Sequence, residues 1–151
     1  MKSNYVAFAL LVAVILALAP VSLRAAETYT VDGVHSYVLF KINHLNIGNS
    51  YGRFGNPSGS ITWDDANPSK SSFELMVQAD NVDTDNENRD KHLRSPEFFN
   101  ASQHAVISFK STAVKQVKPD ALEINGMLSM LGQTHPITVT ARQTGHGKDP
   151  W

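Results

Sequence analysis

The chain of 151 residues contains no cysteine. That removes disulfides, thiolate nucleophiles and cysteine-based metal sites, so the fold must rest on packing and backbone pairing. Strong charge is missing too. Charged residues make up 18% and the formal net charge is −1; setting aside Lys2 and Arg24 makes the balance more negative. That balance shows no basic patch for nucleic acid and none for an anionic membrane. Catalytic signatures are also lacking. The six histidines, His35, His44, His92, His104, His135 and His146, fall in no H-E-x-x-H spacing, and there is no G-x-S-x-G elbow, phosphate loop or dinucleotide fingerprint.

The one long apolar run is Val6 to Ala19, preceded by Lys2 and followed by Pro20 and the small residues Ala25 and Ala26. This is the layout of a secretory signal peptide. Residues 1–25 are therefore expected to be a leader cleaved after Ala25, although Arg24 is not ideal at that site. An uncleaved anchor is the alternative, because the run is near the short end of the ~17–25 residues of a spanning helix. Residues 26–151 suit one domain, with no integral membrane segment after processing.

Most of that domain alternates with period two, as strands burying one face do. Val38, Phe40 and Ile42 share a face, as do Phe73, Leu75, Val77 and Ala79. Leu122, Ile124, Leu128 and Met130 form a third set, with Gly126 leaving a gap on the apolar side, and Ile137, Val139 and Ala141 a fourth. Shorter strands are expected at Tyr29–Val31, Tyr51–Phe54, Gly59–Trp63 and Val106–Ser111. Turn formers separate them at Gly48–Ser50, Asn56–Gly59, Asn67–Ser69, Lys118–Asp120 and Gly132-Gln133. Many short strands with tight turns point to an all-β antiparallel barrel or sandwich.

Thr84 to Glu87 interrupts this pattern and fits a capping box, with Thr84 as N-cap. Glu87 with Lys91 and Asp90 with Arg94 stand at i,i+4 and support a short inserted helix, ended at Ser95-Pro96. The acidic run Asp80 to Glu87 does not fit a calcium loop. Counted from Asp83, Asn88 occupies the glycine position and Arg94 the glutamate position. The densest cluster is Arg89-Asp90-Lys91-His92-Leu93-Arg94-Ser95-Pro96-Glu97-Phe98-Phe99. It reads either as a charged helix followed by aromatic plugs or as a rim over a cavity, where His44, Arg89, His92, Phe98 and Phe99 meet a ligand head group.

This cluster follows Asp32-Gly33-Val34-His35-Ser36, Phe40 to His44 and Gly52-Arg53-Phe54. It precedes Ile107 to Ser111, Gly126-Met127-Leu128, Leu131 to Thr134 and Asp149-Pro150-Trp151. In this order the set resembles the YceI family of exported bacterial lipid-binding proteins, from about Tyr29 to Trp151. The resemblance implies a lipocalin-like antiparallel barrel, a periplasmic location, an isoprenoid lipid in the lumen, no enzymatic activity, no required cofactor and no metal. It makes Phe40, Ile42, Phe73, Leu75, Val77, Leu122, Ile124 and Leu128 the candidate lining, although periodicity alone fits a filled core equally well. Family members continue past Asp-Pro-Trp with further strands, so an incomplete barrel with an open edge is expected here. Two alternatives stand beside a lipid carrier: an interaction module or homodimer pairing through that edge, and an enzyme using His44 with Asp90.

Overall fold

The computed structural model describes residues 26–147 of the chain. The expected leader 1–25 and the Asp149-Pro150-Trp151 motif lie outside the described residues. Nine strands form two antiparallel sheets. The larger sheet is built from β1 (Glu27–Thr30), β4 (Ser58–Trp63), β5 (Ser72–Gln78), β7 (Val106–Lys118), β8 (Ala121–Met130) and β9 (Gln133–Arg142), in that spatial order. The smaller contains β2 (Tyr37–His44), β3 (Gly48–Gly55) and the two-residue β6 (Val82–Asp83). One helix, α1 (Glu87–Arg94), is inserted between β6 and β7. The chain thus has the expected all-β, lipocalin-like antiparallel fold with one short helix. Among the described residues the sheets do not close, and β1 and β9 edge the larger sheet while β2 and the short β6 edge the smaller.

The strands follow the alternation closely, with one informative departure. The sequence suggests a strand ending at Ser111, but β7 runs on to Lys118. Phe109 faces Leu128 and Ser111 faces Gly126, whereas Val114 faces Ile124 after a register shift between Ser111 and Ala113. Phe109 and Val114 are an odd number of residues apart, so a regular strand would put them on opposite faces. The bulge brings both to the inner face. There the Ser111 hydroxyl accepts the Phe73 backbone N–H at 2.9 Å, so the β5 donor stays satisfied.

Two apolar clusters result. Val114, Leu122 and Ile124 are buried beneath Trp63, Phe73, Phe109, Val139 and Ala141. Phe54, Val77 and Val82 are buried with Val38, Phe40, Leu93, Phe99 and Ile107 around them. Burying each aliphatic side chain contributes roughly 1.5–3 kcal/mol. The second cluster joins the sheets by packing Val77 and Ile107 of the larger sheet against Phe54 of the smaller, whose ring lies 5.5 Å from Phe40 and 5.3 Å from Phe99 between centroids. Gly52 is required at this junction, because a Cβ there would stand 2.3 Å from the Phe40 ring.

Helix α1 is capped differently from the expected box. Asn86 is the N-cap and accepts the Arg89 N–H at 2.9 Å. Thr84 instead lies buried against the helix, with its N–H and hydroxyl both donating to the Asp90 carboxylate. Arg89 donates to the Thr84 hydroxyl at 2.7 Å and to its carbonyl at 2.6 Å. Arg94 reaches the carbonyls of Asp80 and Val82, both at 2.7 Å. Asp90 and Arg94 therefore tie α1 to the β6 segment rather than to each other. The acidic run is absorbed likewise: Asp83 accepts two Arg53 hydrogen bonds at 2.7 and 2.9 Å and the Asp85 backbone N–H at 2.9 Å.

Asp90→Ala strips two buried donors of their acceptor and is expected to destabilise the fold by about 2–4 kcal/mol, against about 1 kcal/mol for Asp90→Asn. Urea unfolding of both variants measures this, and equal losses would contradict the role given to the carboxylate. The Asp85 N–H, with Arg53 second, holds the Asp83 carboxyl below the usual range. Its stabilisation is present in full above the unfolded value of ~3.9 and disappears as pH falls through the lowered folded value. Arg53→Gln should raise the Asp83 pKa only part of the way, read by carboxyl NMR; a complete return would show that the backbone N–H matters little.

Candidate functional site

The inner face of the larger sheet carries a continuous row of apolar side chains set by register. Tyr29 faces Ile61 and Ile61 faces Phe73; on the far side Leu122 faces Ala141. Between these lies a cavity of about 320 Å³, walled by Tyr29, Ile61, Trp63, Phe73, Leu122 and Ala141. This is near the small end of ligand sites, ~300–1,000 Å³. Polar groups occur at its border: Arg142, Gln143 and His146. The Tyr29 hydroxyl is 2.5 Å from the Glu27 carboxylate and 3.0 Å from His146 Nε2. Arg142 is 3.3 Å from Asp120, so its charge is already partnered. The border can hydrogen-bond a polar group while the walls offer only dispersion and burial.

A second apolar space of about 100 Å³ lies along the same sheet, with Val38, Leu75, Val77, Ile107, Phe109 and Leu128 on its walls. Phe109 belongs to both regions, since it also packs on the Val114–Leu122–Ile124 cluster. Its ring occupies the space above Gly126, where a Cβ would come within 2.3 Å of the ring and 2.6 Å of the Lys110 carbonyl. The gap expected from the missing Gly126 side chain is therefore filled by Phe109, and the open volume lies elsewhere.

The structure distributes the sequence-derived candidates unevenly. Phe73 and Leu122 wall the larger cavity, and Leu75, Val77 and Leu128 wall the smaller. Ile124 is a core residue at 2% exposure, and Phe40 packs on Phe54. Ile42 is 57% exposed and joins neither cluster. Of the rim candidates, His44 ends β2 in an exposed position, and Arg89 is committed to Thr84. His92 bonds Glu97 at 2.7 Å and meets the Phe98 ring edge-on, while Phe99 is part of the core. None of these five borders the more open hollow of about 450 Å³ between Leu39, Tyr51, Arg53, Asp83 and Asp85, nor the 320 Å³ cavity. Its border residues Tyr29, Arg142 and His146 were not singled out from sequence, because Tyr29 and His146 meet only through the fold. Among the described residues, no three His, Asp or Glu side chains are grouped to hold a metal ion. Asp90 is spent on Thr84, and His44 stands exposed at the end of β2.

Residues 29–149 match the YceI-like domain. The chain belongs to the YceI family. A UPF0312 protein of Azotobacter vinelandii is 41% identical over 128 residues, covering 83% of this chain and 67% of its own length. Protein YceI of Salmonella newport is also 41% identical over 128 residues, covering 83% and 66%. The chain thus spans about two thirds of the length of these curated YceI relatives. Among solved structures, the Campylobacter jejuni YCEI protein is similar with a TM-score of 0.63 and 30% identity, over 81% of this chain and 71% of that one. Burkholderia cenocepacia BcnA shares the fold with a TM-score of 0.67 at 16% identity, over 72% and 67%. The names of these YceI relatives state no enzymatic activity.

Gly126→Ala should cost about 1–3 kcal/mol through its collision with Phe109. Combining it with Phe109→Leu should recover part of that loss in thermal unfolding. Strict additivity of the two changes would mean that the ring does not fill the glycine gap.

Proposed function

We propose that this YceI-family chain is an exported binding protein that holds a long apolar lipid of isoprenoid type against the inner face of its larger sheet. The observation that carries this reading is the 320 Å³ cavity, whose walls are apolar and whose polar groups are confined to one border. A prenyl chain in water is unfavourable by ~25 cal/mol per Å² of apolar surface, and such a wall removes that surface without needing directional contacts. The cavity volume suits a segment of such a chain, with the smaller space near Leu75 and Leu128 extending the same apolar track. The leader-like run Val6 to Ala19 supports export to the periplasm, with residues 26–151 as the mature domain. Carriage or sequestration fits better than catalysis, since the His35–Asp32 and His92–Glu97 pairs both stand away from the cavity lining.

A second reading is a homodimer joined edge to edge. Both β2 and β9 are edges among the described residues. Pro136 lies within β9 and has no amide to donate, and β1 has only four residues against eight in β2, which favours β2 as the pairing edge.

Ala141→Trp fills the larger cavity without burying a charge. It is expected to weaken binding of a prenyl quinone, followed by tryptophan quenching and native mass spectrometry, by at least about tenfold. Glu123→Lys on the opposite face should bind normally. Unchanged affinity in Ala141→Trp, or a protein that is recovered empty and takes up no added prenyl quinone, would refute the reading. A concentration-independent dimer by light scattering, with no lipid uptake, would favour edge pairing instead.

A further inference from the structure

The β2–β3 hairpin ends in a tip unlike the rest of the surface. The sequence suggests a turn at Gly48–Ser50, but the chain reverses at Leu45 and Asn46, with φ of 54° and 58°. The Ile47 N–H donates to the His44 carbonyl at 3.0 Å and the Asn46 N–H to Asn43 Oδ1 at 2.8 Å. Turns with two successive positive-φ residues favour Asn and Gly, because a Cβ is strained there. Leucine at this position is costly, and it gains little burial among the described residues. Leu45 is 75% exposed and Ile47 is 87% exposed.

The residues behind the tip fit a specific surroundings. Lys41 and Tyr51 face each other on the outer side of the hairpin, roughly 10 Å from the turn at ~3.3 Å per residue. No Asp or Glu occurs between Asp32 and Asp64, although the chain as a whole is net negative. Arg53 is engaged by Asp83, which leaves Lys41 to set the sign of the outer half of the hairpin. Apolar residues at the point, with an aromatic and a cationic residue one headgroup depth behind, match the layering of a bilayer interface. The outer half of the hairpin, residues 41–51, carries Lys41 and no acid, which adds complementarity to anionic lipid, while Asp83 and Asp85 lie further back beside Tyr51 and Arg53. A second copy fits less well: the point is convex and offers two large aliphatics, whereas stable protein interfaces bury about 800 Å² per partner.

We propose that the β2–β3 tip inserts into an anionic phospholipid surface, with Leu45 and Ile47 in the acyl boundary and Lys41 and Tyr51 among the headgroups. This docking surface is separate from the sheet cavity, and its test does not depend on what the cavity holds.

The absence of cysteine permits single-site labelling of the full chain. Ile47→Cys carrying an environment-sensitive fluorophore should brighten and shift to the blue on adding phosphatidylethanolamine–phosphatidylglycerol vesicles. The same label at Lys115→Cys, on an exposed strand position of the other sheet, should not change. Leu45→Asp should reduce vesicle affinity by at least about tenfold, and Lys41→Glu by about fivefold. An unresponsive tip overturns the proposal. So does an equal response at both labels, which would mean adsorption elsewhere on the chain, or a blue-shifted tip before vesicles are added, which would mean a protein partner or second copy. Equal response to pure phosphatidylcholine would overturn the anionic preference.

Discussion

The bulge in β7 governs the inner face of this molecule. Its longest strand must present Phe109 and Val114 to the same side, although their spacing is odd, and every contact of the larger cluster depends on that reconciliation. Upstream of the bulge, Phe109 fills the space left by Gly126 and lines the smaller apolar space. Downstream, Val114 supports Ile124 and Leu122, which form the floor beneath the larger cavity. A regular strand would turn one half outward and leave the sheet with neither a sealed core nor an apolar wall. Ser111 makes the irregularity tolerable by giving the Phe73 N–H an acceptor.

Much of this was legible from residue order. β2, β5, β8 and β9 follow from alternation because each is regular and buries one face. The second half of β7 was hidden, since the odd step from Phe109 to Val114 breaks the period at the point where structure matters most. The hairpin turn was misplaced because Gly48 and Asn49 are better turn formers than Leu45, and local preference was overridden there. Thr84 and Asn86 are both good caps; the buried carboxylate of Asp90 decided between them by claiming Thr84.

The site was less legible than the fold. Phe73 and Leu122 were recognisable as members of an inner face, and they wall the larger cavity. The polar border was not recognisable, because Tyr29 and His146 stand 117 positions apart and meet only when the sheet has formed. Conversely, the charged helix attracted attention through its density of functional groups. Those groups bind the helix to β6: Arg89, Asp90 and Arg94 satisfy buried donors and carbonyls, and only a structure separates such internal obligations from availability to a ligand.

Pro136 has a meaning beyond the local geometry of β9. An edge strand is a template on which identical chains can stack, and a long run of free amides makes such stacking self-propagating. A proline removes one amide from that run and bends the approach of any strand laid beside it. Wherever β9 stands as an edge, as it does among the described residues, this residue makes it a poor seed for fibrils. The same residue constrains evolution of the edge: replacing it would improve backbone pairing and, by that improvement, open a route to polymerisation.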